Sequence, residues 1–220
     1  MAINTQEQLN KLFFSWKEKH KAKGYENFIR DGIIDYDAWG NQTTPKVCYF
    51  LKEAYIKDKP FEALEKELAI SLWGIWKDKI PFWTQGIYDA KKPPKAFESK
   101  MSDNDKRKIT NQIAVVNIKK SNGKPKSEGN DLMRYVHEDK NELRKEISII
   151  NPDIIVCGGN FHLVQEVFDN LVFLPTGDAK WGNTLIIDYY HPSNWNGIAG
   201  KTEIHYYALR EICRSDLAYL

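Results

Sequence analysis

Two short stretches constrain this chain more than any other. Residues 113–116 (IAVV) and 154–157 (IIVC) are continuously apolar, with no alternation of apolar and polar side chains. A strand with one wet face alternates; a strand apolar throughout is covered on both faces, as in parallel sheets flanked by helices. The runs at 46–51 (KVCYFL) and 184–190 (TLIIDYY) are of similar length and apolarity, and 171–174 (LVFL) is a further short candidate. Between these runs the spacing of apolar residues turns helical. Leu9, Leu12, Phe13 and Trp16 place a helix over 5–23, opened by a Thr5-x-x-Gln8 capping pattern and stopped by Gly24. Phe61, Leu64, Leu68 and Leu72 place another over 60–77, and 103–110, 131–150 (as one piece or two), 161–169 and 202–218 complete the set. Strands that alternate with helices predict a three-layer α/β/α sandwich around a central, mostly parallel, four-stranded sheet. Residues 1–220 then form a single domain, and 55–111, the longest excursion between strands, is expected to be a helical insertion or lid.

Composition closes off other classes. The chain has 28 aromatic residues and a net charge of only +2, which excludes disorder as the main state. No window reaches the ~18 consecutive apolar residues of a membrane span, and the opening MAINTQEQLNKLFF lacks the basic-then-apolar layout of a secretion signal. A cytoplasmic, monomeric protein without membrane association is expected. Cys48, Cys157 and Cys213 are far apart and show no zinc-ligand spacing, so buried thiols, no metal and no cofactor are expected.

The charge is unevenly placed. Residues 91–126 hold eleven Lys and Arg against three Asp and Glu. Such a run is either an electrostatic footprint for phosphates or a solvated lysine loop. It brackets the strand at 112–118 and contains Pro93, Pro94 and Pro125, which favours shaped loops.

In an open parallel sheet, ligands bind beyond the carboxyl ends of the strands. The strand at 46–51 delivers Lys52, Glu53, Ala54 and Tyr55 there; the strand at 112–118 delivers Asn117, Lys119 and Lys120. The strand at 153–157 delivers Gly158, Gly159 and Asn160, and the last strand delivers His191, Pro192 and Ser193. An acid, an amide, a glycine turn and a histidine are thus expected on one rim. Each also has a plainer reading: an ion pair of Glu53 with Lys52, a turn capped by Asn117, an ordinary strand-to-helix turn at Gly158-Gly159, and a loop in which Ser193 is only a cap.

Read in order, YFLKEAY (49–55), IAVVNIKK (113–120), NPDIIVCGG (151–159) and YYHPSNW (189–195) resemble the motif series of the uracil-DNA glycosylase superfamily. The resemblance covers roughly residues 45–200 and implies an α/β sandwich that acts on a base flipped out of DNA. It implies Glu53 as holder of the attacking water and His191 as stabiliser of the departing base. It further implies Asn117 on the base edge, and Ser193 with the amides near Gly158 and Gly159 on phosphates. Trp195 takes the place of the inserted wedge, and Lys119 and Lys120, with Lys124 and Lys126, face the DNA backbone. Tyr55, Phe82 and Trp83 are the candidates for the ring that stacks on the base. The chain departs from the family where Leu51 and Lys52 open the first motif and Ala54 replaces a proline, and no Asp-Pro-Tyr-His occurs. Three scattered cysteines cannot hold the four-cysteine cluster of the branch whose first motif carries Glu. Three functions follow as alternatives: hydrolysis of the N-glycosidic bond of uracil or a modified base, a nucleic-acid-binding module that has lost chemistry, or an enzyme acting on a free nucleoside or nucleotide.

Overall fold

The chain opens on α1 (Ala2–Ala22), then β1 (Gly32–Ile33), α2 (Tyr36–Asn41) and β2 (Val47–Glu53). Four short helices follow: α3 (Leu64–Ile70), α4 (Ile75–Asp78), α5 (Ile80–Tyr88) and α6 (Asp103–Asn111). Then come β3 (Ile113–Lys119), α7 (Gly129–Ile150), β4 (Ile154–Gly158) and α8 (Phe161–Val167). The chain finishes with β5 (Val172–Phe173), β6 (Ala179–Trp181), β7 (Thr184–Tyr189) and α9 (Thr202–Asp216). The computed structural model describes residues 2–25, 27–55, 62–121, 123, 127–194 and 201–216.

The sheet has seven strands in the order β1-β3-β2-β4-β7-β6-β5. The four expected strands form its centre: β3, β2, β4 and β7 are parallel neighbours, with Leu51 level with Asn117, Tyr49 with Val156 and Gly158 with Tyr189. Three strands widen it beyond the four expected. β1 joins the outer side of β3 antiparallel, and β6 and β5 extend antiparallel from β7. β5 falls in the short candidate run at 171–174, whereas β1 and β6, two and three residues long, are too short for a periodic signal.

Two helical layers complete the α/β/α sandwich. Cys48 and Phe50 of β2 face a core with Leu9, Trp16, Val136, Leu143, Ile147 and Val164, from α1, α7 and α8. Val47, Tyr49 and Leu51 of the same strand face the opposite core, with Leu68, Trp76, Trp83, Ile109 and Leu209, from α3–α6 and α9. The segment expected to be an insertion or lid is, over its described residues, most of this second layer. The single helix expected over 60–77 is broken by an extended Ser71 and by Gly74 at φ +48° into α3 and α4. The capping pattern at Thr5 lies inside α1, which starts at Ala2, and the candidate piece at 131–150 is one unbroken helix. Among the described residues no helix is long and apolar enough to cross a membrane.

The second layer depends on one close approach. A Cβ on Gly86 of α5 would overlap the Tyr206 carbonyl oxygen and lie 3.1 Å from the Tyr206 Cα, both backbone atoms of α9. Rigid helix backbones cannot yield like a side chain, so Gly86→Ala is expected to destabilise the fold by about 1–3 kcal/mol. Chemical denaturation checks this; an unchanged midpoint would mean that the two helices separate at no cost.

At the β6 edge, Asp178 and Asp216 bury their carboxyls against each other. Asp178 Oδ1 accepts the Asp188 amide at 2.8 Å, and Asp216 Oδ2 accepts the Thr176 hydroxyl at 3.1 Å. Burial and the Asp216 carboxyl push Asp178 up to about 7. The folded state therefore holds a proton that the unfolded chain releases near pH 4, and stability from this group falls as pH rises towards 7. Asp178→Asn keeps the acceptor for Asp188 and removes the titration. The variant is expected to gain stability relative to the parent as pH is raised from 4 to 8, measured as the difference between their melting temperatures.

Candidate functional site

The connections single out the carboxyl ends of β2, β4 and β7 as the edge where a ligand would sit. The chain leaves β2 and β7 for the α3–α6 and α9 layer, but leaves β4 for the opposite layer through α8. Where neighbouring strands are followed by helices on opposite faces, the sheet edge is left open.

The β4 side of this edge is built on glycine. A Cβ on Gly158 would meet Leu51 Cδ2 at 2.6 Å and both His191 Cδ2 and Pro192 Cδ at 3.4 Å. Gly159 turns the chain at φ +63°, and its amide donates to the Tyr189 carbonyl at 2.7 Å. Having no side chain at either position brings the His191-Pro192-Ser193 loop directly against the end of β4. The Gly159 amide is thereby committed within the protein, unlike the phosphate contact expected for it.

His191 is held in one tautomer. Its Nδ1 lies 3.1 Å from the Ser193 amide nitrogen and 2.6 Å from Ser193 Oγ. A backbone N–H can only donate, so Nδ1 offers its lone pair and the ring proton sits on Nε2. Burial, followed by the charges of Lys52 and Lys79, pushes the imidazole down to about 4. His191 is therefore a neutral N–H donor across the ordinary pH range. The Ser193 hydroxyl faces this ring rather than standing apart as a phosphate ligand. Lys79, at the start of α5, donates to the Asn194 carbonyl and anchors the far end of the loop.

Glu53 ends β2 on the other side. Its side chain is only 5% exposed and its Oε2 lies 3.3 Å from Lys119 Nζ, which also reaches Asp131 Oδ2 at 2.8 Å. The other oxygen, Oε1, is buried without a hydrogen-bond partner. Burial alone would depress the Lys119 ammonium, but Asp131 and Glu53 raise it above its ordinary value. Gly123 lies over the acid, where a Cβ would come 2.9 Å from Glu53 Cγ. Glu53 thus pairs with Lys119, its level partner on β3, and not with Lys52. Since β4 lies between β2 and β7, Glu53 and the His191 strand are two strand spacings apart, about 10 Å.

Asn117 is buried and fixed by Asp31. Asp31 Oδ2 accepts both its backbone amide at 2.7 Å and its side-chain Nδ2 at 3.0 Å. This orients the amide, because Oδ1 would repel the carboxylate. No described residue hydrogen-bonds Asn117 Oδ1. Asn160, directly after the glycine turn, is buried with neither amide atom hydrogen-bonded.

Lys120 is a correction to the sequence reading. Its side chain is fully buried, bonded to Asp31 Oδ1 and 2.8 Å from Glu146 Oε2, with its ammonium 5.1 Å from the Trp16 ring centre. Both lysines reach α7, but Lys119, the last residue of β3, pairs with Asp131 and Glu53, whereas Lys120, just past the strand, is drawn inward to Glu146 and Asp31. Tyr55 is 44% exposed beside Glu53, as a stacking ring requires. Trp83 cannot stack on a base, because it is buried and packed on Tyr189 and His205 at 5.3 and 4.7 Å. Phe82 is buried too and lines a separate cleft between α5, α6 and α9. Trp195, Lys124 and Lys126 lie outside the described residues. Sequence reasoning missed Lys79, Asp31 and Asp131, whose partners are 86 or more residues away or hidden among ordinary helix charges.

In comparisons with known proteins, the chain matches no family model and no curated relative.

Proposed function

We propose that this chain binds a nucleotide flipped out of DNA and hydrolyses its N-glycosidic bond, with uracil or a modified base as leaving group. The observation that carries this reading is the fixed tautomer of His191: a neutral Nε2–H at the carboxyl edge of the sheet, in the field of Lys52 and Lys79. When the bond from C1′ to the base nitrogen breaks, its electron pair stays on the base, and negative charge gathers on a ring oxygen. A preoriented neutral donor stabilises that charge without reorganising, and the fields of Lys52 and Lys79 add to it. The sugar becomes an oxocarbenium ion, and water attacks C1′. Glu53 Oε1, an acceptor with no partner of its own, takes the proton of that water. The Oδ1 and second N–H of Asn117 are the groups left to read the base edge, held in orientation by Asp31. Tyr55 supplies the stacking surface, and Lys119 positions Glu53.

A second reading, a nucleic-acid-binding module without chemistry, is favoured by one observation. Glu53 is already engaged by Lys119, which in turn is shared with Asp131.

The test is a panel of oligonucleotides carrying uracil and modified pyrimidines, incubated with the protein and treated with alkali. Strand breaks at one class of base, abolished in Glu53→Gln, are expected. Salt-dependent binding with no abasic product from any base would favour the second reading instead.

A further inference from the structure

The cleft between α5, α6 and α9 has a volume of about 250 Å³, space for one aromatic ring system. Its apolar wall is a run of rings: Phe82 to Phe97 at 5.6 Å between centres, then Phe97 to Tyr206 at 5.4 Å. The wall is fixed by the buried Asp89, which accepts from the Tyr206 hydroxyl at 2.8 Å and from Gln85 at 2.9 Å. Lys95, at one side of the opening, is 3.2 Å from the same carboxylate. Lys100 and Lys108 stand at the opening with no acid partner among the described residues, and Glu98 and Asp105 share the rim. Asp105 is itself turned to Ser102, whose hydroxyl donates to it at 2.6 Å. The first half of the basic run at 91–126 is therefore folded around an aromatic cleft.

The cleft is also joined to the rim described above. Lys79, which grips the His191 loop, precedes α5, and Phe82 and Gln85 lie about 4.5 and 9 Å farther along that helix at 1.5 Å per residue. That span is comparable to one or two nucleotides of an extended strand. Aromatic rings with adjacent unpaired lysines are the elements that hold single strands, by stacking and by phosphate contact.

We propose that this cleft holds the single-stranded segment of nucleic acid flanking the nucleotide at the His191 rim, with a base against Phe97 and phosphates at Lys100 and Lys108. The proposal rests on the reading of the substrate as nucleic acid, but not on hydrolysis.

The test measures binding of the full chain to a fluorescent dT16 strand at several salt concentrations, for the parent and for Lys100→Glu/Lys108→Glu. Loss of two phosphate contacts is expected to lower the slope of log affinity against log salt by about 1.4. An abasic residue placed at the flanking position is expected to weaken binding about tenfold in the parent and to have little effect in the variant. Both substitutions are on the surface, and equal melting temperatures would establish that the variant is folded. An unchanged salt slope overturns the proposal. So does competition by dUMP or inorganic phosphate as effective as by dT16, which would make the cleft a small-anion pocket. A changed slope with no base released from any oligonucleotide upholds the cleft and overturns the hydrolytic reading. Base release with an unchanged slope does the reverse.

Discussion

Lys120→Met is expected to destabilise the fold by about 3–5 kcal/mol, the usual cost of removing one partner from a buried ion pair. For a chain of this size that lowers the melting temperature by about 10 °C. The cluster explains the magnitude. Burial alone would depress the Lys120 ammonium, but Asp31 and Glu146 raise it; burial and Asp31 push the Glu146 carboxyl well above its ordinary range. Lys120 is thus the single cation that two buried acids share. Without Lys120, the Asp31 carboxylate has lost its buried cation, although it keeps the Asn117 amide donors. Adding Asp31→Asn to Lys120→Met removes that stranded charge and is expected to recover part of the loss, measured by urea denaturation. A single variant within about 1 kcal/mol of the parent would mean that the cluster contributes nothing.

His191→Ala is expected to slow base release by about 10²–10³-fold, the effect typical of losing one preoriented donor to developing negative charge. Because the working form is the neutral ring and its proton is gained only near pH 4, His191 is expected to impose no change in rate between pH 5 and 8. An activity that falls through pH 6.5 on acidification would place the imidazole in water and contradict the packing against Gly158. The same shift affects folding. The unfolded chain binds this proton near pH 6.5 and the folded chain near 4, so stability from this group is complete above pH 6.5 and falls as pH drops towards 4.

The central sheet was legible because its four parallel strands are apolar on both faces, a pattern written in consecutive letters. The rim followed from it: once the strands are placed, the residues after Leu51, Cys157 and Tyr189 can only gather at one edge. The direction of a side chain at that edge was not legible. Lys119 and Lys120 are neighbours in sequence with the same charge, yet one reaches Glu53 and the other closes an ion cluster in the core. Both find an acid of α7, Lys119 at Asp131 and Lys120 at Glu146, and nothing in a lysine pair tells which partner each will meet. Asp31 and Lys79 were equally hidden, since each acts on a residue more than 80 positions away. The two-residue β1 and three-residue β6 are below the length at which periodicity carries information.

Helix α7 has a consequence for how such a chain can change over generations. Along its 22 residues, Asp131 bonds Lys119, Tyr135 bonds Ser121, Asp139 bonds His20 and Glu146 pairs with Lys120. Its leucines and isoleucines could fit the sheet in more than one vertical setting. The four polar side chains act as pegs that fit in a single setting, so the rod cannot slide by one residue without withdrawing all of them together. Descendants of this sequence should therefore exchange each peg and its socket as a pair, while the apolar residues between them drift independently.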